Sequence, residues 1–370
     1  MSVWKECTIA DLGTVVGGAT PSTKDSANYD NGTIAWLTPK DLSGYQGRYI
    51  SHGERNITEK GLRSCSTQLV PKHTVLFSSR APIGYVAIAE SELCTNQGFK
   101  SVIPNDDTDY LFLYYLLKYN KDAIENMGSG TTFKELSGNT MRGIRVRVPS
   151  DIETQRRIAG ILGSVDDKIE QNIAINNNLL EQAQALYTSM FITNADPSWQ
   201  QGRLSDLITV RYGKDHKKLA DGVYPVYGSG GIMRYAERPL YEHESVLIPR
   251  KGTLNNVMYV NEPFWSVDTM FYTEMRMPNV AKFVYHFVKS KDLASLNAGS
   301  AVPSMTTDIL NAMELLIPFE SALAEFEAIV APMYRSIKDN DIQVTQLEKL
   351  RNSLLPKLMS GELDVSEVEI

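Results

Sequence analysis

Two long heptad patterns, separated by a constant 168 residues, constrain this chain more than any other feature of its sequence. In the first pattern, seam residues follow one another in alternating steps of four and three residues from Ile158 to Met190. The second pattern runs from Phe326 to Leu358 with the same steps. Such steps are typical of the a and d positions of a coiled coil. Because a helix with one apolar stripe has to bury it, we predict that the two helices pack against each other.

Amides interrupt both seams. Asn172 and Asn176 lie on the first seam, and Asn340 occupies on the second seam the position equivalent to Asn172. A polar pair on a seam costs stability but fixes register and orientation. Since Asn172 and Asn340 each lie near the midpoint of their helix, we predict that they face each other and set the register. The alternative is that both amides lie at the edge of the seam and are solvated there.

The segments outside the helices are also related to each other. The stretch from Gly130 to Pro149 matches the stretch from Gly299 to Pro318 at an offset of 169, with apolar residues at equivalent places. Upstream, VLFSSRAPIG aligns with VLIPRKGTLN and places Arg80 on Arg250 at an offset of 170. The chain is therefore ordered as block, helix, block, helix, so the second helix has to run back along the first.

This order predicts an α+β fold, with two pseudo-symmetric mixed α/β domains separated by a long antiparallel two-helix coiled coil. The predicted boundaries are a first domain at 1–152, a first helix at 153–195, a second domain at 196–319, and a second helix with its C-terminal tail at 320–370. Runs of β-branched and aromatic residues predict strands at Ile34–Leu37, Val75–Phe77, Val86–Ala89, Lys100–Ile103, Ile144–Val148, Val246–Ile248, Val257–Val260, Thr269–Glu274 and Met313–Ile317. Shorter helices are predicted near 109–127 and 279–297. The aromatic residues predicted to be core are Tyr110, Phe112, Tyr114 and Tyr115.

The distribution of charge leaves the nature of the partner open. The chain of 370 residues carries a net charge of −7, which by itself argues against a nucleic-acid partner. The acidity is concentrated in the helical segments: residues 151–195 hold 3 basic and 6 acidic side chains, and residues 319–370 hold 5 and 10. The blocks at 1–150 and 199–318 are balanced, with 16 against 15 and 13 against 12. The charge therefore neither excludes nor requires DNA.

Signatures of catalysis and of membrane insertion are missing from the sequence. There is no GxxxxGK[ST] phosphate loop and no GxSxG elbow, and the three cysteines and five histidines show no metal-ligand spacing. No uncharged apolar run reaches the roughly 18 residues of a membrane span, and the N-terminus has no signal-peptide pattern. We expect a cytoplasmic binding protein with no metal and no membrane partner. A scaffold with two small domains on a coiled coil, and an enzyme with a dispersed active site, are the alternatives.

A series of motifs follows a characteristic order along the chain. The first block contains LGTVVGGATPS, IAWLTPKDL, ITEKGL, VLFSSRAPIGYVAIA and TNQGFKSV, and the second contains PVYGSGGIMRY, SVLIPRKGTLNNVMYV and PFWSVDTMFY. The helices carry ETQRRIAGILGSVDDKIE and, near the end, LLPKLMSGELDV. In this order, over nearly the whole chain, the sequence resembles the specificity (S) subunits of type I restriction-modification systems. The two blocks would then be target-recognition domains and the helices the two conserved regions of that family.

The resemblance implies a DNA-binding protein without catalytic activity of its own. In the family, each target-recognition domain reads one half of a split, asymmetric site on double-stranded DNA. The helices set the spacer and dock two modification (methyltransferase) subunits, and restriction (motor and nuclease) subunits join that core. The resemblance also implies that AdoMet, ATP and Mg²⁺ belong to those partner subunits and that the methylated base is adenine. A system that lacks its nuclease is a variant of the same interpretation.

Two arginines are the leading candidates for DNA contact. Arg80 and Arg250 each follow a predicted strand at matching positions of the repeat. An arginine there could donate two hydrogen bonds to guanine O6 and N7 or bind a phosphate. The alternative is an ion pair at the surface.

Further candidates are polar residues of predicted turns near these arginines, which could contact base edges or phosphates or serve only as turn formers. In the first block they are Thr38, Lys40, Asn96, Gln97, Lys100, Ser129, Thr131 and Lys134. In the second block they are Tyr227, Ser229, Lys251, Thr253, Asn255, Asn256, Ser300 and Ser304.

The helices offer candidates for contact with protein partners. Their acidic bias favours protein over DNA as the neighbour. Apolar residues off the seam are candidates for that contact, namely Ile161, Ile173, Leu180 and Tyr187. Charged residues of the first helix are expected to form a solvated face, namely Arg156, Arg157, Asp166, Asp167 and Lys168.

Overall fold

A computed structural model describes residues 3–129, 134–296 and 304–365. Within these ranges the α-helices are α1 (Ile9–Leu12), α2 (Glu59–Arg63), α3 (Tyr110–Tyr119), α4 (Lys121–Asn126), α5 (Gly138–Gly143), α6 (Ile152–Thr188), α7 (Leu204–Leu207), α8 (Ala281–Lys289), α9 (Thr307–Asn311) and α10 (Glu320–Ser360). Short 3₁₀ helices span Ser26–Asn28 and Pro39–Leu42, and a π-helical turn spans Ser189–Thr193.

The strands share the same described ranges. They are β1 (Trp4–Thr8), β2 (Gly13–Gly17), β3 (Ile34–Leu37), β4 (Tyr49–Ile50), β5 (Arg55–Ile57), β6 (Val75–Ser79), β7 (Ile83–Ala89), β8 (Cys94–Thr95), β9 (Lys100–Pro104), β10 (Arg145–Pro149), β11 (Gln200–Arg203), β12 (Ile208–Tyr212), β13 (Asp221–Gly228), β14 (Gly231–Ala236), β15 (Ser245–Pro249), β16 (Met258–Val260), β17 (Trp265–Ser266), β18 (Met270–Met275) and β19 (Glu314–Ile317). Each strand predicted from the sequence overlaps one of these, and the strand at Ile34–Leu37 has the predicted bounds.

The chain forms two compact units. The first consists of Met1–Ile173 together with Asp341–Ile370, and the second consists of Ala174–Asn340. Each unit therefore contains one block and part of both long helices. The boundary between units falls within α6 and α10, so each long helix contributes to both cores.

The first unit is built on a five-stranded sheet in the order β2-β9-β6-β7-β4. A smaller sheet has the order β5-β3-β8, and β1 pairs with β10 in a separate antiparallel ribbon. The predicted aromatic helix covers the larger sheet: Phe112 and Tyr115 are fully buried in the core with Phe77 of β6. Leu162 of α6 and Leu358 of α10 complete the same core. Burial of this aromatic helix confirms the prediction made from its sequence.

The second unit repeats this topology without a counterpart of the edge strand β4 among the described residues. Its sheets have the orders β12-β18-β15-β16 and β14-β13-β17, and β11 pairs with β19 in the ribbon. The parallel pairing of β13 with β17 corresponds to the parallel pairing of β3 with β8. Its core contains Phe283 of α8, Phe326 of α10 and Tyr187 of α6. Tyr187 is therefore a core residue, because its ring packs against Phe191 and Phe283, and its predicted role in contacting a partner is wrong.

The heptad pattern describes both long helices well. In the first unit, Asp166 of α6 contacts Arg351 of α10, and Asn172 contacts Gln343. Residue numbers rise along one helix and fall along the other, so the two segments are antiparallel. Every seam residue that the heptads predicted, from Ile158 to Met190 and from Phe326 to Leu358, is buried or half-buried. The predicted coiled-coil pair is thus confirmed.

The predicted partnership of the seam amides is wrong by about one helical turn. Asn172 donates from Nδ2 to Oε1 of Gln343 at 2.6 Å. Asn340 donates from Nδ2 to Oδ1 of Asn176 at 2.8 Å, and Asn176 donates to the Ile337 carbonyl oxygen at 3.4 Å. The heptad spacing determines which residues form the apolar stripe of each helix. It does not determine the axial stagger of one helix against the other, and the helix midpoints do not determine it either.

Ionic contacts join each block to the long helices. In the first unit, the Asp166 carboxylate accepts hydrogen bonds from Tyr115 Oη at 2.6 Å and from an Arg351 guanidinium nitrogen at 2.8 Å. The buried Arg48 side chain pairs with Asp167 and with Glu170, the latter at 3.0 Å. Asp166 is therefore buried and hydrogen bonded, and the prediction that it forms part of a solvated face is wrong. The reason is that its position on α6 faces Tyr115 of α3 and Arg351 of α10. In the second unit, Lys282 lies 2.7 Å from Glu327 and 3.0 Å from Glu244.

Candidate nucleic-acid interface

Arg80 lies where a buried strand reaches the surface. The five residues of β6 are all buried, and Ser79 at its end is held from both sides. Its amide donates to the Gly98 carbonyl oxygen at 2.7 Å, and its carbonyl accepts from the Leu136 amide at 2.9 Å. Ala81 follows with φ of 52°, which turns the chain towards β7. The core strand thus fixes the backbone of Arg80 while its side chain remains at the rim.

A cleft of about 500 Å³ opens beside Arg80. It is lined by Thr38, Pro39, Lys40, Arg80, Ala81, Asn96, Lys134 and Glu135. Five of these residues were predicted from sequence as DNA contacts, and they come from four separate segments of the chain. The cleft brings together three cationic side chains and one carboxylate, so its lining is net positive although the whole block is balanced. A concave, positively charged surface with amide and hydroxyl groups suits a polyanion that also has base edges to read.

One wall of the cleft is a short turn after β3. Thr38 donates from its amide and from Oγ1 to Asp41 Oδ2 at 2.7 and 2.8 Å, which caps the 3₁₀ helix that carries Lys40. The exposed Lys40 ammonium lies 2.8 Å from a Glu54 carboxylate oxygen. The hydrogen bond to Glu54 raises the pKa of Lys40. Lys40 therefore stays charged, and its long side chain is free to exchange this exposed partner for a phosphate.

The loop between β8 and β9 adjoins this turn, because the Asn96 amide donates to the Leu37 carbonyl oxygen at 2.8 Å. Asn96 lines the cleft, and its Oδ1 accepts from the Gly98 amide at 2.8 Å. Gln97 accepts from Thr20 Oγ1 at 2.5 Å. Both residues thus also stabilise the loop, as the alternative interpretation of this turn predicted.

Lys100 contacts residues next to the cleft but is not among the residues that line it. Its Nζ atom lies 3.4 Å from Ser79 Oγ and 3.3 Å from the Gln97 carbonyl oxygen, and its side chain is only 16 % exposed. Burial lowers the pKa of Lys100, the nearby Arg80 charge adds to that lowering, and Glu135 opposes it. These contacts place Lys100 within the protein framework rather than at the surface of the cleft.

The remaining candidates of the first unit lie on the segment after α4. The backbone of Ser129 exchanges two hydrogen bonds with Glu135, at 3.1 and 2.9 Å. Lys134 is exposed on the cleft. Thr131 lies outside the described residues.

In the second unit, Lys251 and not Arg250 holds the position that Arg80 holds in the first. The Arg250 amide donates to the Thr269 carbonyl oxygen at 2.9 Å, just as the Ser79 amide donates to Gly98. Lys251 forms a backbone bridge with Ser304, just as Arg80 does with Glu135. The hydrogen bonds therefore align Arg80 with Lys251 at an offset of 171, and the predicted equivalence of Arg80 with Arg250 is off by one residue.

Arg250 has different contacts as a result. Its guanidinium donates to the Asp268 carbonyl oxygen at 3.1 Å and lies 5.3 Å from the centre of the Tyr212 ring. Tyr212 is 52 % exposed, so the stacked pair forms part of the surface. Stacking on an aromatic ring restricts the guanidinium while leaving some of its donors directed outwards.

The loop after Lys251 is joined to the hairpin of β13 and β14. Asn256 donates from Nδ2 to the Ser229 carbonyl oxygen at 2.8 Å. Gly252 has φ of 87°, and a Cβ atom there would lie 2.7 Å from Ser229 Oγ. Glycine at this position therefore allows the two loops to meet.

The remaining candidates of the second unit differ in their exposure and in their hydrogen bonds within the protein. Thr253 is exposed. Asn255 uses both ends of its amide, donating to Asp292 Oδ1 at 3.0 Å and accepting from the Ala294 amide at 3.0 Å. Tyr227 is half-buried, and its hydroxyl lies 3.4 Å from Glu262. Ser304 bridges to Lys251 as described, and Ser300 lies outside the described residues.

Sequence reasoning missed two sets of residues, one in the cleft of the first unit and one on the surface of the second unit. Glu135 lines the cleft, and the repeat contained the signal, since an offset of 169 places it on Ser304. The second set is the exposed lysines of the GKDHKK segment after β12, namely Lys214, Lys217 and Lys218. The Lys214 amide donates to the Ser266 carbonyl oxygen at 2.8 Å, as Ala19 does to Thr95 beside the first cleft. Three lysines within five residues were the signal for this basic loop.

The described residues contain no group of three or more His, Cys, Asp or Glu side chains arranged to hold a metal ion. In the same part of the chain, every helix is too short or too polar to cross a membrane. The cleft of the first unit consists of basic, amide and hydroxyl groups with one carboxylate, on loops that a sheet supports. Such an arrangement is typical of a modular recognition protein.

Comparisons with known proteins agree with this architecture. The family model described as "Type I restriction modification DNA specificity domain" matches residues 1–181 and again 197–347. The type I restriction enzyme MjaIX specificity subunit of Methanocaldococcus jannaschii is 34 % identical over 99 % of this chain and 94 % of its own length. The chain therefore belongs to the type I restriction-modification DNA specificity family, whose function class is DNA sequence recognition.

More distant similarities also extend over most of the chain. A putative type I specificity subunit of Mycoplasma pneumoniae is 24 % identical over 78 % of this chain and 83 % of its own length. The crystal structure of a type I restriction-modification system S subunit from M. genitalium superposes with a TM-score of 0.64 at 18 % identity, covering 97 % of this chain and 96 % of that one. This structural likeness shows that the fold is shared.

Proposed function

We propose that this protein is the non-catalytic specificity subunit of a type I complex and that each unit reads one half of a split, asymmetric site on double-stranded DNA. The observation that carries this proposal is the cleft of the first unit, which gathers Lys40, Arg80, Asn96 and Lys134 from distant parts of the chain. Three cations there can neutralise phosphates, and Arg80 and Asn96 carry the groups that pair with guanine and adenine. The loops around Lys251 form the second recognition surface.

The two surfaces differ in chemistry, which supports an asymmetric site. Arg80 of the first unit corresponds to Lys251 of the second, and Glu135 corresponds to Ser304. A guanidinium and an ammonium present different donor geometries, and a carboxylate accepts hydrogen bonds where a hydroxyl can also donate them. Two domains with one topology and different side chains are suited to reading two different half-sites.

The long helices would set the spacer and dock two modification (methyltransferase) subunits. At 1.5 Å per residue, the 37 residues of α6 extend for about 55 Å, which corresponds to at most about 16 base pairs. Under this proposal the helices present an acidic surface that suits protein rather than DNA. AdoMet, ATP and Mg²⁺ would be bound by the modification subunits and by the restriction (motor and nuclease) subunits, in the cytoplasm, and methylation would fall on adenine.

The test is methylation mapping by long-read sequencing in a host that expresses this chain with its modification subunit. We expect a split motif that appears only with this chain. Arg80→Ala should relax the first half of the motif alone, and Lys251→Ala the second half alone. Arg63→Ala is the matched control, because Arg63 is an exposed arginine that pairs with Glu59 and does not line the cleft.

Each outcome separates the alternatives. A split motif with one half altered in each variant supports two independent recognition domains. The absence of any motif, with both proteins expressed and folded, would favour a scaffold that binds protein. Equal effects of Arg63→Ala and Arg80→Ala would contradict a role for the cleft.

A further inference from the structure

Glu135 is the single carboxylate among the residues that line the cleft of the first unit. Its backbone is fixed on two sides. It exchanges two hydrogen bonds with Ser129 and bridges to Arg80. The next residue, Leu136, is fully buried in the core. The carboxylate is therefore held at a defined place on the cleft wall.

The two cations beside Glu135 are near it without being hydrogen bonded to it. One carboxylate oxygen lies 3.9 Å from an Arg80 guanidinium nitrogen, and the other lies 3.9 Å from Lys100 Nζ. These distances are beyond hydrogen-bond range, so the two oxygens keep lone pairs for another donor. The side chain is 46 % exposed, which makes it accessible from the cleft.

A carboxylate in this position opposes simple phosphate binding. It reduces the positive potential of the cleft and cannot accept from a phosphate, so it weakens binding to every DNA sequence alike. It can contribute favourably only where a donor faces it. In the major groove the donors are the amino groups of cytosine N4 and adenine N6, and carboxylates pair with cytosine N4.

The neighbouring arginine narrows the choice of base pair. A guanine presents O6 and N7 as acceptors, and the cytosine paired with it presents its N4 amino group next to them. A guanidinium beside a carboxylate has the complementary pattern of donors followed by an acceptor. Arg80 and Glu135 are adjacent on bridged backbone segments, which places this pattern on one wall of the cleft.

We infer that Glu135 determines specificity in the first half-site by accepting a hydrogen bond from the N4 amino group of a cytosine, while Arg80 donates to the guanine of the same base pair. This inference rests on the proposed function. The second unit has Ser304 at the equivalent position. The carboxylate that selects a cytosine is therefore not repeated at the equivalent position of the second unit.

The experiment uses the whole chain with its modification subunit and maps methylated motifs for the wild type, Glu135→Ser and Glu135→Gln. Glu135→Ser copies the side chain of the second unit, and Glu135→Gln keeps the shape. Glu92→Gln is the control for loss of one negative charge at an exposed position outside the cleft. Binding to random-sequence duplex DNA is measured in parallel, together with the thermal stability of each variant.

We expect one obligatory G·C pair in the first half of the wild-type motif. Glu135→Ser should lower discrimination at that pair by about tenfold or more, with the second half unchanged. Glu135→Gln should accept adenine as well, because an amide both donates and accepts. If Glu135→Ser is unfolded, Glu135→Gln alone decides.

Two results would overturn the inference: an unchanged motif in both variants with uniformly tighter binding to random DNA, or a first half-site without a G·C pair. Failure of the proposed function is distinguishable from both, because the wild-type complex would then produce no split motif at all.

Discussion

Asn340 donates a hydrogen bond to Asn176 at 2.8 Å within a seam that is otherwise mostly apolar. Asn176 is 6 % exposed, so water does not readily replace a lost partner. A buried amide pair of this kind contributes little net stability but is costly to break on one side. The hydrogen bond between the two amides forms at only one axial stagger of the helices, and the pair therefore fixes the register.

This pair predicts a strongly non-additive double-mutant cycle. Asn340→Leu should lower the free energy of unfolding by about 1–3 kcal/mol, because it leaves a buried Asn176 amide group without that partner. The double variant Asn176→Leu/Asn340→Leu should be close to the wild type or more stable. Urea denaturation of the four proteins measures the coupling. Additive effects would show that the two amides do not act as a pair.

Asp166 predicts a second stability effect. Asp166→Ala leaves the buried Tyr115 hydroxyl and the Arg351 guanidinium without the carboxylate that accepts from both. We expect a loss of about 3 kcal/mol in unfolding free energy, as is typical when one member of a buried pair is removed. Glu153→Ala on the same helix breaks an exposed pair with Arg156 and should cost less than about 1 kcal/mol. Equal losses in denaturation experiments would argue against a structural role for Asp166.

His286 predicts how stability depends on pH. Its two ring nitrogens lie 2.8 Å from Gln184 Oε1 and 3.0 Å from Tyr334 Oη, and burial lowers its pKa from 6.5 to about 4. The unfolded chain therefore binds a proton in this interval that the folded chain does not. Stability is full above pH 6.5 and declines as the pH falls towards 4, by an amount on the order of 3 kcal/mol.

The measurement is the unfolding free energy of the wild type and of His286→Gln at several pH values. The variant should be less stable at neutral pH, and its stability should decline less between pH 6.5 and 4. Parallel curves for the two proteins would show that His286 does not titrate in this way.

The different environments of Lys134 and Lys100 predict that replacing the first with alanine affects DNA binding, whereas replacing the second affects stability. Lys134 is exposed on the cleft, so Lys134→Ala should weaken binding of the complex to all sequences and reduce the salt slope of log K by about 1. Lys100 is largely buried and bonded within the framework. Lys100→Ala should lower thermal stability instead. Binding titrations at several salt concentrations distinguish the two, and an unchanged slope for Lys134→Ala would remove it from the interface.

Asn255 predicts a loss of stability without a change of motif. Its amide is engaged by Asp292 and Ala294, so Asn255→Ala should cost about 1 kcal/mol by removing intramolecular hydrogen bonds. Thr253→Ala, two residues away and exposed, should leave stability within about 0.5 kcal/mol. Thermal denaturation and methylation mapping of both variants test this. A relaxed motif in Asn255→Ala with normal stability would return Asn255 to the group of base contacts.

Several predictions from the sequence depended only on order and spacing along the chain. The alternating steps from Ile158 and from Phe326 predicted two coiled-coil helices, and α6 and α10 have buried or half-buried seams. The offset near 169 residues predicted two related domains, and the sheets of the two units have matching orders apart from the edge strand β4, which only the first unit has among the described residues. Periodicity and repetition are properties of the linear chain, because the helix and the strand each impose a fixed spacing on buried residues.

The tertiary structure decided which distant residues meet. The heptads do not contain the stagger that pairs Asn340 with Asn176 instead of Asn172. The aligned strands could not reveal that Lys251 replaces Arg250 as the counterpart of Arg80, since register follows from hydrogen bonds between strands far apart in sequence. Likewise Glu135 became part of the cleft only when its segment bridged to Arg80. The sequence by itself determined the repeated architecture, whereas contacts between separate segments, which close only in the folded chain, decided the composition of each recognition surface.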